Sequence, residues 1–246
     1  MKDLTLGAKD GRIGHVQEFL FDDTHWTIRY LVAQAGNLLT GRMVLLSPHI
    51  LGNPDEAHQT LPVDLTQDQV RHSPPVETDR PVSRVYEEEY YRYFGWPQYW
   101  SGPYLWGPSP VPAMPPATID DPMLLTDRMR PNVPKSDPHL RSTDEVTGYH
   151  IKARDGEIGH VEDFLYDDKD WAIRYLVVDT RNWWPGKKVL VPPSWIGGFH
   201  WEDRTLDAEV SREDIRQAPA YEPDKPITLG FEMQLARYYE KDLHKV

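Results

Sequence analysis

The sequence predicts a mainly β protein: two small β-barrels arising from an internal duplication, each followed by short helices and joined by a long proline- and aromatic-rich linker. Two observations carry this. Gly11 to Pro48 reads GRIGHVQEFLFDDTHWTIRYLVAQAGNLLTGRMVLLSP, and Gly156 to Pro193 reads GEIGHVEDFLYDDKDWAIRYLVVDTRNWWPGKKVLVPP. A constant offset of 145, with no gap, brings Gly11, Ile13, Gly14, His15, Val16, Phe19, Leu20, Asp22, Asp23, Trp26, Ile28, Arg29, Tyr30 and Leu31 onto identical residues. Within each copy, short apolar and β-branched runs alternate with Gly, Asp and Pro turn signals at close spacing, the pattern of a small barrel or sandwich.

The elements follow in order. Leu4 to Ala8, matched by His150 to Ala153, is a short apolar alternation. Asp10-Gly11 and Asp155-Gly156 are tight-turn dipeptides that predict hairpins. Ile13 to Phe21 continues as a strand, with Gly14 where it bulges or bends. Asp22 to His25 is a polar turn, Ile28 to Ala33 a β-branched and aromatic strand, and Arg42 to Leu46 a further strand stopped by Ser47-Pro48. Ile50-Leu51 and Leu61 to Leu65 supply two more short strands. Thr66 to Gln69 and Ser211 to Asp214 each place a hydroxyl three residues before a polar or acidic group, a capping-box start. Val70 and Ile215 then face the core, and Pro74 and Pro219 end both helices. A second helix over Arg84 to Phe94 corresponds to Leu229 to Tyr239.

The organisation is therefore residues 1–94, a first domain with trailing helices; 95–140, the linker; and 141–246, a second domain. The linker holds eleven of the 23 prolines, which excludes helix or central strand and favours extended chain. Its first half, which continues the aromatic run YYRYFGWPQYWSGPYLW of residues 90–106, is too aromatic for a solvated linker and is expected to be packed. Its second half, around Pro115 to Pro138, is expected to be a mobile strap, with Arg128, Arg130 and Lys135 solvated.

Composition narrows the function. A formal charge of −12 argues against a phosphate-binding surface and against adsorption to anionic lipid. No nucleic-acid partner is expected, and membrane association is peripheral at most. The absence of Cys removes disulfides, thiolate catalysis and Cys-ligated zinc. MKDLTLGAKDGR is too charged for a signal peptide, and no window approaches the roughly 20 apolar residues of a membrane helix. A cytoplasmic location is the expectation.

Taken together, the G-x-hydrophobic-G turn of Gly11 to Gly14, the acidic turn Asp22-Asp23, the strand Ile28-Arg29-Tyr30-Leu31 and the strand Gly41 to Pro48, each repeated 145 residues on, resemble the PRC-barrel family. The matches cover about two thirds of the chain and leave out the linker. The resemblance implies a barrel of about six strands per copy. That fold occurs in the cytoplasmic domain of the photosynthetic reaction-centre H subunit and in the C-terminal domain of the ribosome maturation factor RimM. Glutamates implicated in proton uptake by the H subunit fall at Val32 and Gln34, and at Val177 and Asp179, so three of the four positions here lack the acid. The likeness is greatest to bacterial tandem PRC-barrel proteins.

Candidate residues are weighed against what structure alone requires. His15 and His160 could serve a metal with Asp22-Asp23, but a straight strand puts roughly 25 Å between them. Adjacent acids in a turn point apart, and Asp favours turns through its own backbone hydrogen bonds. Asp22-Asp23 and Asp167-Asp168 have no EF-hand spacing either. No metal site, cofactor or catalytic residue is assigned: the chain has no G-x-S-x-G, H-E-x-x-H, P-loop or G-x-G-x-x-G. Trp26 and Trp171 read as packing, and Arg29 and Arg174 as solvent-facing. The differences between copies say more. Leu38-Leu39-Thr40 becomes Trp183-Trp184-Pro185, and Asp55-Glu56 becomes His200-Trp201. Exposed aromatic turns anchor interfaces. Trp183, Trp184 and Trp201, with Trp96, Tyr99 and Trp100 of the linker, are the expected contacts for a protein partner. The function expected is non-catalytic docking or scaffolding, at a membrane complex or in a stress response, with the barrels packed pseudo-symmetrically or across a homodimer. Alternatives are a reaction-centre H-like subunit modulating electron or proton transfer, and a small-molecule binder or enzyme with a cleft between the barrels.

Overall fold

The computed structural model describes residues 1–36, 41–55, 57–74, 76, 82–113, 139–180 and 186–243, with side chains to residue 239. The chain divides into two compact units: Met1–Asp144 with Asp167–Ala172, and Glu145–Tyr166 with Ile173–Val246.

The first unit is built on β1 (Thr5–Ala8), β2 (Gly11–Asp22), β3 (Thr27–Ala35), β4 (Arg42–Leu46) and β5 (Thr60–Pro62), followed by α1 (Gln67–His72), α2 (Arg84–Phe94) and β6 (Leu140–Ser142). Its sheet runs β4-β3-β2-β1-β5, with β6 added antiparallel to the far half of β2. β1 and β5 are parallel; the other ladders are antiparallel. Leu6, Val16, Phe21, Tyr30, Leu31, Val44, Leu45 and Leu61 are buried in its core.

A short helix, α3 (Thr143–Val146), leads to β7 (His150–Ala153), β8 (Gly156–Tyr166), β9 (Ile173–Asp179), β10 (Lys188–Val191), β11 (Ile196–His200), β12 (Thr205–Ala208), α4 (Arg212–Gln217), β13 (Ala220–Tyr221) and α5 (Leu229–Leu243). The second sheet runs β11-β12-β7-β8-β9-β10-β13, around a core that includes Ile151, Ile158, Val161, Leu176, Val178, Leu190 and Leu206. The protein is thus mainly β, with two sheets. Among the described residues each sheet is an open path, with no ladder joining its ends.

The same local devices occur in both units at the offset of 145. Thr5 pairs with His15 and Leu6 with Gly14; His150 pairs with His160 and Ile151 with Gly159. Gly14 is required by crowding, since a Cβ there would lie 1.8 Å from Gln34 O; at Gly159 it would lie 2.1 Å from Asp179 O. The Asp of each hairpin turn also serves a helix: Asp10 Oδ1 accepts from Gln67 N, and Asp155 Oδ1 from Arg212 N, both at 2.7 Å. The capping boxes form as the spacing predicts. Thr66 and Gln69 exchange hydrogen bonds at α1, Ser211 and Asp214 do so at α4, and Val70 and Ile215 are buried.

Three local expectations change. Pro48–Ile50 is a single 3-10 turn rather than the start of a strand, because Pro48 cannot donate to a ladder; Leu51 then makes only an isolated bridge to Val63. Leu140–Ser142, which carries no strand pattern of its own, becomes β6 by pairing with β2. Arg29 does not face solvent: it is 1% exposed, whereas Arg174 is exposed. The proline-rich stretch expected as a strap, with Arg128, Arg130 and Lys135, lies outside the described residues.

Candidate functional site

Two features of the helices stand out chemically: a buried charged cluster beneath α2 in the first unit, and an exposed apolar stripe on α5 in the second.

α2 is fixed at both ends. Ser83 Oγ accepts from Tyr86 N at 3.2 Å, and Gly95, in the left-handed region at φ 69°, closes the helix. This aims Glu87, which is fully buried, into the unit. Glu87 Oε1 accepts hydrogen bonds from Tyr30 Oη at 3.0 Å and Tyr99 Oη at 2.9 Å. Its Oε2 lies 3.0 Å from Arg84 Nη1 and 2.9 Å from His139 Nε2. Burial first, and the Glu87 carboxylate second, push the Tyr30 and Tyr99 phenols well above their ordinary range, so both stay protonated donors.

A second ion pair lies beside the first. Arg29 Nη2 donates to Asp22 Oδ2 at 3.0 Å and Nη1 to Leu105 O at 2.5 Å. Its guanidinium carbon sits 4.0 Å from the Tyr99 ring centroid and 5.0 Å from that of Trp106, a cation–π arrangement. Burial opposes ionisation of Asp22, but the His25 hydrogen bond and the Arg29 guanidinium hold its carboxyl well below the usual range. The acid pair is therefore not an open turn: Asp22 is buried, and Asp23 meets Arg141 Nε of β6 at 2.7 Å. His49, buried with Arg29 nearby, is pushed down to about 4.

The linker aromatics complete this cluster. Trp96 stacks on Phe94 at 4.4 Å and on His49 at 5.3 Å. Trp100 meets the Tyr91 ring at 5.4 Å and lies 4.0 Å from the Arg84 guanidinium. The first half of the linker is thus packed. Trp96 and Tyr99, expected as partner contacts, are buried inside the unit, because their rings fill its apolar interior and the Tyr99 hydroxyl is held by Glu87. Trp100 is half-buried in the same cluster. Trp201 is half-buried in the second unit, stacked on Phe199 at 4.6 Å. Trp183 and Trp184 lie outside the described residues. With Glu87 out of reach of any solute, the cluster is an anchor that ties α2, the linker and β6 to the sheet.

In the second unit the helix is held differently. Tyr238 Oη donates to Asp214 O, as Tyr93 Oη donates to Gln69 O in the first unit; Tyr239 Oη donates to Leu190 O. Leu235 and Tyr239 face the core, while Leu229 is 71% exposed, Met233 47% and Ile227 40%. Beside Met233, an open groove of about 350 Å³ is lined by Gln217, Pro219, Gln234, Arg237 and Tyr238. Sequence reasoning passed over this stripe, though its signal is legible: Leu229 and Met233 stand one turn apart, off the Leu235 and Tyr239 face.

His15 and His160 are half-buried on β2 and β8, and His15 Nε2 meets Arg12. Among the described residues no three His, Asp or Glu side chains converge as metal ligands, and no helix is long and apolar enough to cross a membrane. Compared with known protein families and with curated proteins, the chain matches none.

Proposed function

We propose that this chain is a non-catalytic docking protein made of two PRC-barrel-like domains that arose by internal duplication, acting in the cytoplasm. The shared offset of the hairpins, crowded glycines and helix caps supports the duplication. The observation that carries docking is the apolar stripe of Leu229 and Met233 on α5, with Ile227 just ahead of the helix: all three are exposed and Met233 borders a groove, where a helix of an isolated domain would present polar residues. The acidic surface steers the choice of partner towards neutral or basic protein rather than nucleic acid. The test is affinity purification from the native host of the wild-type chain and of Leu229→Glu combined with Met233→Glu. A protein recovered with wild type and lost with the double variant is expected. Recovery of the same proteins by both chains would remove α5 as the docking site.

A further inference from the structure

Resting on this docking reading, we infer that the α5 face receives an extended, proline- and aromatic-rich segment of a partner protein. The first unit holds a template for such an occupant. Val82, Arg84, Glu87 and Tyr91 are buried. Arg84, Glu87 and Tyr91 are covered by the linker: Tyr99 donates to Glu87, Trp100 lies against Arg84 and Tyr91, and Trp96 packs on Tyr91 with ring centroids 6.2 Å apart. The positions 145 residues on, Ile227, Leu229, Glu232 and Ala236, are all exposed. The same helical face is therefore covered in one unit and open in the other.

Two arguments select the occupant. Three partly exposed apolar side chains fall far short of the roughly 800 Å² per partner that a standard stable dimer interface needs, which favours a short segment over a second copy. Charge sets its chemistry. Glu232 stands where Glu87 stands, but Leu229 replaces Arg84, so the helix supplies no cation at that position. Tyr175, at the position of Tyr30, already lies close enough to feel the Glu232 charge. The occupant is left to supply the second phenol or the cation that Tyr99 and Arg84 bring to Glu87, and an acidic segment is repelled by a chain of net charge −12. Proline pre-sets the extended backbone and lowers the ordering cost, as in other proline-rich recognition.

The probe is a synthetic peptide of sequence GWPQYWSGPYLW, matching Gly95–Trp106, titrated into the 246-residue chain while amide signals of α5 are followed by NMR. Binding that perturbs α5 is expected. It should weaken by about tenfold or more with Leu229→Glu plus Met233→Glu, and also with Glu232→Gln or with the peptide's tyrosine at the Tyr99 position changed to Phe, each equivalent to a loss of about 1.4 kcal/mol. These protein positions are exposed, so the circular dichroism spectrum should not change. Absence of binding, or equal binding by the variants, overturns the inference. A photo-crosslinker at position 229 in the host then separates the two readings. An adduct with a folded domain or a second copy retains docking and rejects the segment, whereas no adduct rejects both.

Discussion

Glu87 and His49 show how much of this protein's stability rests on single buried polar groups. Glu87 gathers two phenols, a guanidinium and an imidazole around one carboxylate with no access to water. Replacing it by leucine leaves Arg84 buried without its counter-charge, and removing one member of a buried pair typically costs about 3–5 kcal/mol. Glu87→Leu should therefore lower the urea midpoint substantially, and adding Arg84→Leu should restore part of the loss. Equal midpoints for Glu87→Leu and wild type would mean that the anchor contributes little. His49 makes a prediction about pH. Its folded pKa of about 4 lies below the ordinary 6.5, so the unfolded chain binds the proton more readily. Its contribution is fully present above about pH 6.5 and is lost as pH falls towards 4, by up to about 3 kcal/mol. Asp22, whose carboxyl is depressed, adds its own loss only at more acidic pH. Unfolding free energy measured from pH 7 to pH 4 should fall, and His49→Phe should flatten that slope. A slope unchanged by the substitution would assign the pH dependence elsewhere.

At the scale of elements, the short helices owe their existence to their first turn. α1 and α4 have only six residues each, too few to be stable alone, and each carries a complete capping box. Thr66→Ala and Ser211→Ala should each cost about 1 kcal/mol in equilibrium unfolding. A cost near zero at either site would show that the Asp10 or Asp155 contact alone holds the helix start. These elements were readable because their determinants are local: a hydroxyl, an amide or acid three residues on, and an apolar residue directly after it. β6 was not readable. Leu140–Ser142 has no alternation to speak of, and it is a strand only because β2 offers it an edge. The aromatic linker was readable in composition, since its tryptophans and tyrosines need burial, but not in direction. Trp96 and Tyr99 turn inward onto Phe94, His49 and Glu87 rather than outward.

For the whole molecule, the sequence by itself determined a mainly β chain with the same hairpins, crowded glycines and helix caps occurring twice, 145 residues apart. These are periodic or short-range signals, fixed by sterics and hydrogen bonds within a few residues. Only the tertiary structure decided which polar groups go inside. Arg29 and Arg174 sit in the same Ile-Arg-Tyr-Leu context, yet Arg29 is buried against Asp22 and the Tyr99 and Trp106 rings while Arg174 is exposed. The same holds for the helices. Glu87 is fully buried under the linker, and Glu232 remains in solvent beside Leu229 and Met233. The identical Ile-Arg-Tyr-Leu segment cannot specify the difference between Arg29 and Arg174, and a glutamate alone cannot specify that between Glu87 and Glu232, because the burial of a charge depends on the groups brought opposite it from distant parts of the chain.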